Sequence, residues 1–391
     1  MGLNRREFLK TALLGTTSAL VGGHALGGTL DRYASSEPFV FPEPVHRTLG
    51  RTGMKVTVIG FGAMLTPEAE VMRVAFDHGV NYVDTARRYM GGRNEEIVGK
   101  ALKGRRDKVY VATKTAPSST SKEDITRDVE TSLKALETDY IDVIQLHSLT
   151  GRERVFLPET REALARLKEQ GKVRFFGVTT HKNEAEVLNA LVDDPDRFFD
   201  TALVAYNFNS GDEVTNAMAR AAGAGVGIIA MKALAGGYTT EAPGPISPHQ
   251  AAIKWVLRNP NIATAIPGMK DLAQLKEDIA VMGMPFGHAD GRALQRYGAA
   301  IQPFYCHLCG KCEDSCPKGV EISTINRSLM YAEGYGSPEL ALSTYREIPL
   351  PASASACLDC PACTARCVNG LDIPEKMKTA RKWMDRCGTL A

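Results

Sequence analysis

The cysteines of this 391-residue chain have its most specific spacing. Two runs, Cys306–Cys316 and Cys357–Cys367, both read C-x2-C-x2-C-x3-C, and in both a Gly, an acidic residue and an Ile follow. Three thiolates spaced in this way can wrap around one face of a 4Fe-4S cube, while the fourth cysteine lies outside the tight loop. Because the pattern occurs twice, the sequence predicts two iron–sulfur clusters.

The fourth cysteine of each run decides how the ligands are shared. In two-cluster ferredoxins this thiolate binds the cluster of the other run. Pro317 follows Cys316 as in the bacterial ferredoxin pattern, whereas Val368 stands after Cys367. One cluster is therefore assigned to Cys306, Cys309, Cys312 and Cys367, and the other to Cys357, Cys360, Cys363 and Cys316.

Disulfide bonds and structural zinc are the two alternatives for these cysteines. Neighbours in C-x2-C are poorly placed to pair with each other, and disulfide frameworks belong mainly to short secreted chains. Zinc sites also use four thiolates, but they usually combine two C-x2-C pairs rather than a run of three. The spacing favours clusters and leaves Cys387 as a free thiol.

A second group of reactive side chains lies at the ends of three consecutive predicted strands. Asp84 ends the second strand, Lys114 the third and His147 the fourth, and Tyr89 follows Asp84 in the loop DTARRYMGG. A buried lysine beside a carboxylate and a phenol suits proton transfer: we expect Lys114 to lower the pKa of the Tyr89 hydroxyl, and Asp84 to hold the lysine in place. Any one of these four residues could instead form a salt bridge or cap a loop, but the four residues together favour catalysis.

Eight strands alternating with eight helices are predicted to position these residues. Short runs rich in β-branched residues, such as YIDVIQLHS and VRFFGVTT, alternate with amphipathic stretches between Lys55 and Gly283. Eight such units in about 230 residues favour an α/β fold of the (β/α)8 TIM-barrel type, in which chemistry gathers at the carboxyl ends of the strands. A G-x-G-x-x-G dinucleotide fingerprint is absent.

From about Arg47 to Gly283 the chain resembles the aldo-keto reductases. The stretch DTARRYMGGRNEEIVGKAL carries the likeness, and the family's tetrad of Asp, Tyr, Lys and His matches the four residues above. The resemblance implies that Tyr89 acts as general acid towards a carbonyl oxygen, that His147 helps to orient this oxygen, and that NADPH or NADH supplies hydride without a Rossmann fold.

The resemblance also indicates the cofactor contacts. Thr179 and Thr180 stand where the family commonly has Ser-Asn for the carboxamide, and Met231 stands where an aromatic residue stacks under the nicotinamide. Asp271 would repel a 2′-phosphate, so the choice between NADH and NADPH stays open. The predicted cofactor-binding residues are Thr179, Thr180, Met231, Lys232, Gly268, Lys270 and Glu277.

The N-terminus resembles a twin-arginine export signal. Arg5 and Arg6 precede a weakly apolar run rich in Gly, Ala and Thr, which is too polar for a membrane span. This route carries folded proteins, as a cluster-containing protein requires, so we expect a twin-arginine translocase as partner and a periplasmic or exported location, with a membrane tether if the signal is not cleaved. A basic cytosolic extension is the alternative.

The composition is that of an ordinary soluble globular protein, with 44% hydrophobic and 24% charged residues and a net charge of +2, and nothing in it suggests nucleic acid. After the barrel, helical spacing between the cysteine runs predicts a mainly α-helical ferredoxin-like domain. The expected divisions are a signal at 1–34, a linker at 35–46, the barrel at 47–283, a connector at 284–302 and the two-cluster domain at 303–385.

Two functions fit this sequence. The first is an exported oxidoreductase that acts on a small carbonyl or alcohol and whose clusters connect to a redox partner protein. The second is an electron-transfer subunit whose barrel binds a ligand without turning it over. Nicotinamide gives up two electrons as hydride whereas clusters pass single electrons, so direct transfer between them requires a further cofactor or a partner.

Overall fold

The computed structural model describes residues 39–239 and 246–386, with side chains to residue 384. The predicted signal segment and Cys387 lie outside the described residues. The barrel and the C-terminal helices belong to one compact unit that begins at Phe41. Among the described residues, no helix is both long and apolar enough to cross a membrane.

Eight parallel strands form the barrel predicted from the sequence. They hydrogen-bond in chain order, and isolated bridges from Ile59 to Ala265 and from Gly62 to Gly268 join the first strand to the last. The strands are β3 (Phe61–Gly62), β4 (Tyr82–Asp84), β5 (Tyr110–Lys114), β6 (Ile141–Leu146), β7 (Val173–Thr180), β8 (Thr201–Ala205), β9 (Gly227–Met231) and β10 (Ile262–Ala265).

The predicted first strand, KVTVIGFGA, is divided in the structure. Its first part, β2 (Lys55–Thr57), pairs antiparallel with β1 (His46–Thr48), and only the later part enters the barrel sheet as β3. The division has a packing reason: Val56 is fully buried in a cluster with Tyr82 and Val143 of the barrel strands, so the hairpin covers one end of the barrel with apolar side chains.

A helix follows each barrel strand, in agreement with the alternating pattern. The third helix shows the local cause: the Ser121 hydroxyl accepts a hydrogen bond from the Asp124 amide at 3.1 Å, and Ile125, Val129 and Leu136 form its buried face. The helices are α1 (Ala69–Asp77), α2 (Arg93–Leu102), α3 (Lys122–Leu136), α4 (Pro158–Glu169), α5 (Glu184–Asp193), α6 (Asp212–Gly223), α7 (Pro248–Leu257) and α8 (Leu272–Ile279).

The region after the barrel is helical, as its spacing predicted. The segment interpreted as a connector contains a 14-residue helix, α9 (His288–Ile301), whose Ala293 and Leu294 pack against the alanines of α7. This segment is an added helix because its apolar residues recur with a helical period. The remaining helices are α10 (Ile322–Glu333), α11 (Pro338–Tyr345) and α12 (Ile373–Arg386).

The C-terminal helices come very close to the barrel at one point. A Cβ placed on Gly334 would lie 2.2 Å from the carbonyl oxygen of Gly236, in the loop after β9. Any larger side chain at position 334 would push the two backbones apart. Glycine therefore allows the end of α10 to sit directly on the carboxyl end of the barrel.

Candidate active site

Lys114 is the centre of a buried polar network at the barrel mouth. It ends β5 and is almost completely buried, and its Nζ donates to Asp84 Oδ1 and, at 2.7 Å, to the Thr85 carbonyl oxygen. The other carboxylate oxygen of Asp84 accepts a hydrogen bond from Gln145 Nε2 at 2.8 Å. Each charge of the buried pair is thus hydrogen-bonded, which a buried ion pair requires.

Tyr89 and His147 lie beside this network. The Lys114 Nζ is 4.8 Å from the centroid of the Tyr89 ring, and the Tyr89 and His147 rings meet edge to face with centroids 6.2 Å apart. Tyr89 begins a short turn after β4, and His147 directly follows β6. The four side chains that the sequence placed on one rim therefore converge in the fold.

The expected pKa shift of Tyr89 is wrong in direction. Burial raises the pKa of Tyr89 well above 10, and the negative charge of Asp84 raises it further. Tyr89 is half-buried and lines a cavity, and loss of hydration is the largest cause of the shift. Tyr89 is therefore a protonated donor at neutral pH.

The pKa values of His147 and Lys114 are both lowered, which favours the neutral form of each side chain. Burial lowers the pKa of His147 well below 6.5, and Lys114 and Arg327 lower it further, so the imidazole is neutral at neutral pH. Burial also lowers the pKa of Lys114, although the charge of Asp84 opposes this shift. The tetrad thus combines a neutral phenol and a neutral imidazole with one ion pair.

A cavity of about 210 Å³ adjoins the tetrad and carries most of the predicted cofactor contacts. Asp84 and Tyr89 line it at one end. Of the predicted cofactor-binding residues, it is lined by Met231, Lys232, Gly268, Lys270 and Glu277. The structure therefore brings five predicted contacts and two tetrad residues to one space.

Thr179 and Thr180 do not line this cavity. The Thr179 hydroxyl accepts a hydrogen bond from the Ser148 amide at 2.8 Å, and the Thr180 hydroxyl donates to the Lys182 carbonyl oxygen at 2.7 Å. Both hydroxyls hold the loops that follow β6 and β7. Their contact with a carboxamide stays a prediction.

The C-terminal helices supply residues that the sequence did not place at the site. Lys232 Nζ donates to the Tyr331 hydroxyl at 3.0 Å, and Lys270 Nζ donates to the Tyr335 carbonyl oxygen. Tyr335 also lines the 210 Å³ cavity. Two predicted cofactor-binding lysines thus contact α10 and the residues directly after it.

Gln145 and Tyr331 lie at the site but were not predicted from the sequence, which contains a signal for only one of them. Gln145 precedes His147 by two residues in the predicted strand YIDVIQLHS, so the twofold period of a strand predicts both side chains on the same face. Tyr331 lies on a helical segment far along the chain, and nothing in its local pattern indicates contact with a barrel mouth.

A second cavity, of about 400 Å³, lies between the barrel rim and the C-terminal helices. Its lining includes Arg88 and Ser148, which are chain neighbours of Tyr89 and His147, and also His181 and Arg327. Burial lowers the pKa of His181 well below 6.5, and Arg327 adds to this shift. This cavity is the space next to the tetrad on the side of the C-terminal domain.

The cysteines of the two runs form two interleaved groups. The eight described cysteines are all free thiols, so none of them forms a disulfide. Burial raises the pKa of Cys306 to about 12, and Cys312, Cys309 and Cys367 act on it in the same direction. Burial also raises the pKa of Cys357, with contributions from Cys316, Cys360 and Cys363. These sets of electrostatic neighbours are the two ligand sets assigned from the spacing.

The surroundings of both groups suit buried sulfur ligands. A cavity of about 170 Å³ is lined by Cys316, Cys357, Cys360 and Cys363 together with apolar side chains. In the other group, backbone amides point at sulfur: Leu308 N lies 3.4 Å from Cys306 Sγ, and Asn369 N lies 3.4 Å from Cys367 Sγ. Among the described residues, no three His, Cys, Asp or Glu side chains are grouped closely enough to hold a single metal ion.

Comparison with known proteins agrees with the barrel. The model of the aldo/keto reductase family matches residues 59–243. An L-galactose dehydrogenase of Arabidopsis thaliana is 29% identical over 281 residues, which cover 60% of this chain and 87% of that protein.

Solved structures show the same similarity. An aldo-keto reductase of Pseudomonas aeruginosa is 30% identical with a TM-score of 0.54, covering 62% of this chain and 97% of its own. An aldo-keto reductase of Klebsiella pneumoniae in complex with NADPH is 26% identical with a TM-score of 0.54, covering 65% of this chain and 95% of its own. The chain belongs to the aldo/keto reductase family of oxidoreductases.

Proposed function

We propose that this protein transfers hydride between NADP(H) and a small carbonyl or alcohol, with Tyr89 as the proton donor, and that its C-terminal domain holds two 4Fe-4S clusters. The observation that carries the first part is the convergence of Asp84, Tyr89, Lys114 and His147 beside the cavity lined by the predicted cofactor residues. A related protein of known structure, from Klebsiella pneumoniae, was solved with NADPH, which supports this cofactor.

The residues of this chain account for the proton half of the reaction. When bound, a reduced nicotinamide supplies hydride to the carbonyl carbon. The protonated Tyr89 hydroxyl donates its proton to the carbonyl oxygen, so the products are an alcohol and a phenolate. The Lys114 ammonium, 4.8 Å from the ring centroid, stabilises the phenolate, and neutral His147 offers a hydrogen bond to the oxygen.

Asp271, which was expected to repel the 2′-phosphate of NADPH, caps a helix in the structure. Asp271 precedes α8, and its carboxylate accepts a hydrogen bond from the Gln274 amide at 2.9 Å. This N-cap fixes the carboxylate on the helix, where the partial positive charge of the first turn offsets part of its charge. The cap lowers the repulsion that Asp271 exerts on a 2′-phosphate.

The test of the reductase is Tyr89→Phe, which removes only the hydroxyl. The proposal expects carbonyl reduction to fall by about 10²- to 10⁴-fold, with unchanged cluster absorbance. Tyr110→Phe is the matched control. Tyr110 begins β5 and Lys114 ends it, so Tyr110 lies at the end of the strand that is far from the tetrad. Unchanged activity in Tyr89→Phe would instead support an electron-transfer subunit whose barrel only binds a ligand.

The cluster proposal rests on the two interleaved cysteine groups. In a zinc site all four sulfurs lie about 2.3 Å from one ion, whereas in a cube each thiolate binds its own iron and the sulfurs are spread farther apart. The support for the cube is the triple C-x2-C-x2-C-x3-C spacing together with the two sets of neighbouring cysteines. Anaerobic iron and sulfide determination, with paramagnetic resonance after reduction, tests it; colourless protein loaded with zinc would refute it.

Export and a redox partner are further parts of the proposal. Arg5 and Arg6 support a twin-arginine signal, and the exposure of Cys309 supports docking of a partner protein beside the proposed cluster that includes this residue. Fractionation of cells that express the chain, with Arg5→Lys and Arg6→Lys together as the variant, tests export. Mass spectrometry of denatured exported protein would show whether the nicotinamide travels with it.

A further inference from the structure

The 400 Å³ cavity beside the tetrad is lined by three basic residues, Arg88, Lys182 and Arg327, and by two acidic residues, Glu321 and Glu347. Arg88 pairs with Glu347 at 3.4 Å, and Lys182 pairs with Glu313. Glu321 accepts a hydrogen bond from Thr324 at 3.0 Å. These lining charges therefore have partners within the protein.

Arg327 is the exception among the basic residues of this cavity. No hydrogen bond or ion pair engages its guanidinium within the described parts of the chain, and its Nε is buried without a partner. A buried donor without an acceptor costs free energy, because water is lost and nothing replaces it. The site thus provides a donor for a group that is not part of the protein.

The position of Arg327 connects this donor to the catalytic residues. It lies four residues before Tyr331 on α10, so both side chains are on one face of the helix, and the Tyr331 hydroxyl contacts Lys232 at the mouth of the barrel. Arg327 is also close enough for its charge to act on both rings: it adds to the lowering of the pKa of His147 and opposes the larger rise of the pKa of Tyr89. A molecule whose carbonyl is at Tyr89 can extend from the tetrad towards Arg327.

The other walls favour an anion as the occupant. His181 lines the cavity as a neutral ring, and Ser148 and Ser323 add hydroxyls. Two carboxylates also line the cavity: Glu347 lies within electrostatic range of Arg327 but pairs with Arg88, and Glu321 accepts the Thr324 hydroxyl and forms no ion pair within the described residues. A guanidinium matches a carboxylate with two parallel hydrogen bonds, which neither a hydroxyl nor an ester can reproduce.

We infer that Arg327 binds a carboxylate on the substrate, so that the C-terminal domain selects carbonyl compounds that carry an acid group. This inference rests on the proposed function, because it assigns the substrate class of the same site. Arg327 acts as a specificity residue: it holds the acid end while Tyr89 serves the carbonyl.

The test compares two aldehydes of the same shape, 4-carboxybenzaldehyde and methyl 4-formylbenzoate. In the full-length, cluster-loaded protein, Arg327→Met should lower kcat/KM for the acid by about 10- to 100-fold, mainly through KM, and leave the ester within about twofold. Arg327→Lys should recover part of the loss, and Arg346→Met, at an exposed arginine of the same domain, should change neither. Equal effects on both aldehydes, or no effect, would overturn the inference.

A binding measurement separates this inference from the proposed function. Terephthalate carries the acid groups without a reducible carbonyl, and isothermal titration of it into the same proteins requires no turnover. Binding to the wild type that weakens about tenfold or more in Arg327→Met supports the anion site even if neither aldehyde is reduced. Equal affinity in both proteins, or no binding to the wild type, refutes it even if the aldehydes are reduced.

Discussion

Lys232, directly after barrel strand β9, donates a hydrogen bond from Nζ to the Tyr331 hydroxyl of α10 at 3.0 Å. The Lys232 Nζ also lies 4.6 Å from the centroid of the Tyr331 ring. Burial alone would raise the pKa of Tyr331, but Lys232 and Arg327 lower it overall. A residue predicted to contact the cofactor thus also fastens the C-terminal domain to the barrel.

Removing the Tyr331 hydroxyl should loosen this attachment. In Tyr331→Phe the half-buried Lys232 loses its hydrogen-bond acceptor, and we expect a loss of about 1–3 kcal/mol in the free energy of unfolding. Anaerobic equilibrium unfolding in urea, followed by circular dichroism, measures it. Tyr345→Phe, which removes a hydroxyl that accepts the Ala354 amide within the C-terminal domain, separates loosening of the contact from loosening of the domain itself.

Neutralising Asp84 should lower the free energy of unfolding more than neutralising a surface carboxylate does. In Asp84→Asn the buried Lys114 ammonium loses its counter-charge, which costs about 3–5 kcal/mol. The same unfolding experiment measures it. Glu70→Gln breaks a solvent-exposed pair with Arg73 and should cost less than about 1 kcal/mol. Similar losses in both variants would show that the buried pair contributes no more than a surface pair.

If the fourth cysteine of each run binds the cluster of the other run, substituting that cysteine should impair the cluster of the other run. Cys367→Ser should impair the cluster of the first run, although Cys367 belongs to the second, and Cys316→Ser should impair the cluster of the second run. The described cysteines support this, since Cys367 is among the electrostatic neighbours of Cys306, and Cys316 among those of Cys357.

Iron content and paramagnetic resonance of the two variants, compared with Cys312→Ser and Cys363→Ser, provide the measurement. The spectrum of Cys367→Ser should match that of Cys312→Ser. If it matched Cys363→Ser instead, each run would bind its own cluster.

Acid should destabilise the protein through its buried histidines. Burial lowers the pKa of His147 and His181 well below 6.5. Below about pH 6.5 the histidines of the unfolded chain therefore bind protons that those of the folded chain do not bind. The stability that the two neutral histidines contribute is complete above about pH 6.5 and is lost as the pH falls below this value.

Stability measured between pH 8 and pH 5 tests this prediction. His181→Asn should flatten the acid limb of the profile, whereas His288→Gln, at an exposed histidine, should leave it unchanged. An unchanged slope in His181→Asn would show that this residue takes up its proton while folded.

The sequence by itself determined which residues converge at the barrel mouth and the type of scaffold that carries them. Asp84, Lys114 and His147 end consecutive strands, and the carboxyl ends of parallel strands share one rim, so their convergence follows from a local pattern. The same holds for the first three cysteines of each run, since a short spacing brings these thiolates together. It also holds for the helical character of the C-terminal region.

Only the tertiary structure decided what covers the barrel mouth. Tyr331 and Arg327 reach the tetrad because α10 packs against residues about a hundred positions earlier in the chain, as the contact between Lys232 and Tyr331 shows, and no local pattern encodes such a contact. The protonation of Tyr89 was likewise decided by folding, because the effect of burial on its pKa outweighs the opposing charge of Arg327. Hydration is lost only when distant segments close over a group, so a pKa depends on the complete fold and not on sequence neighbours.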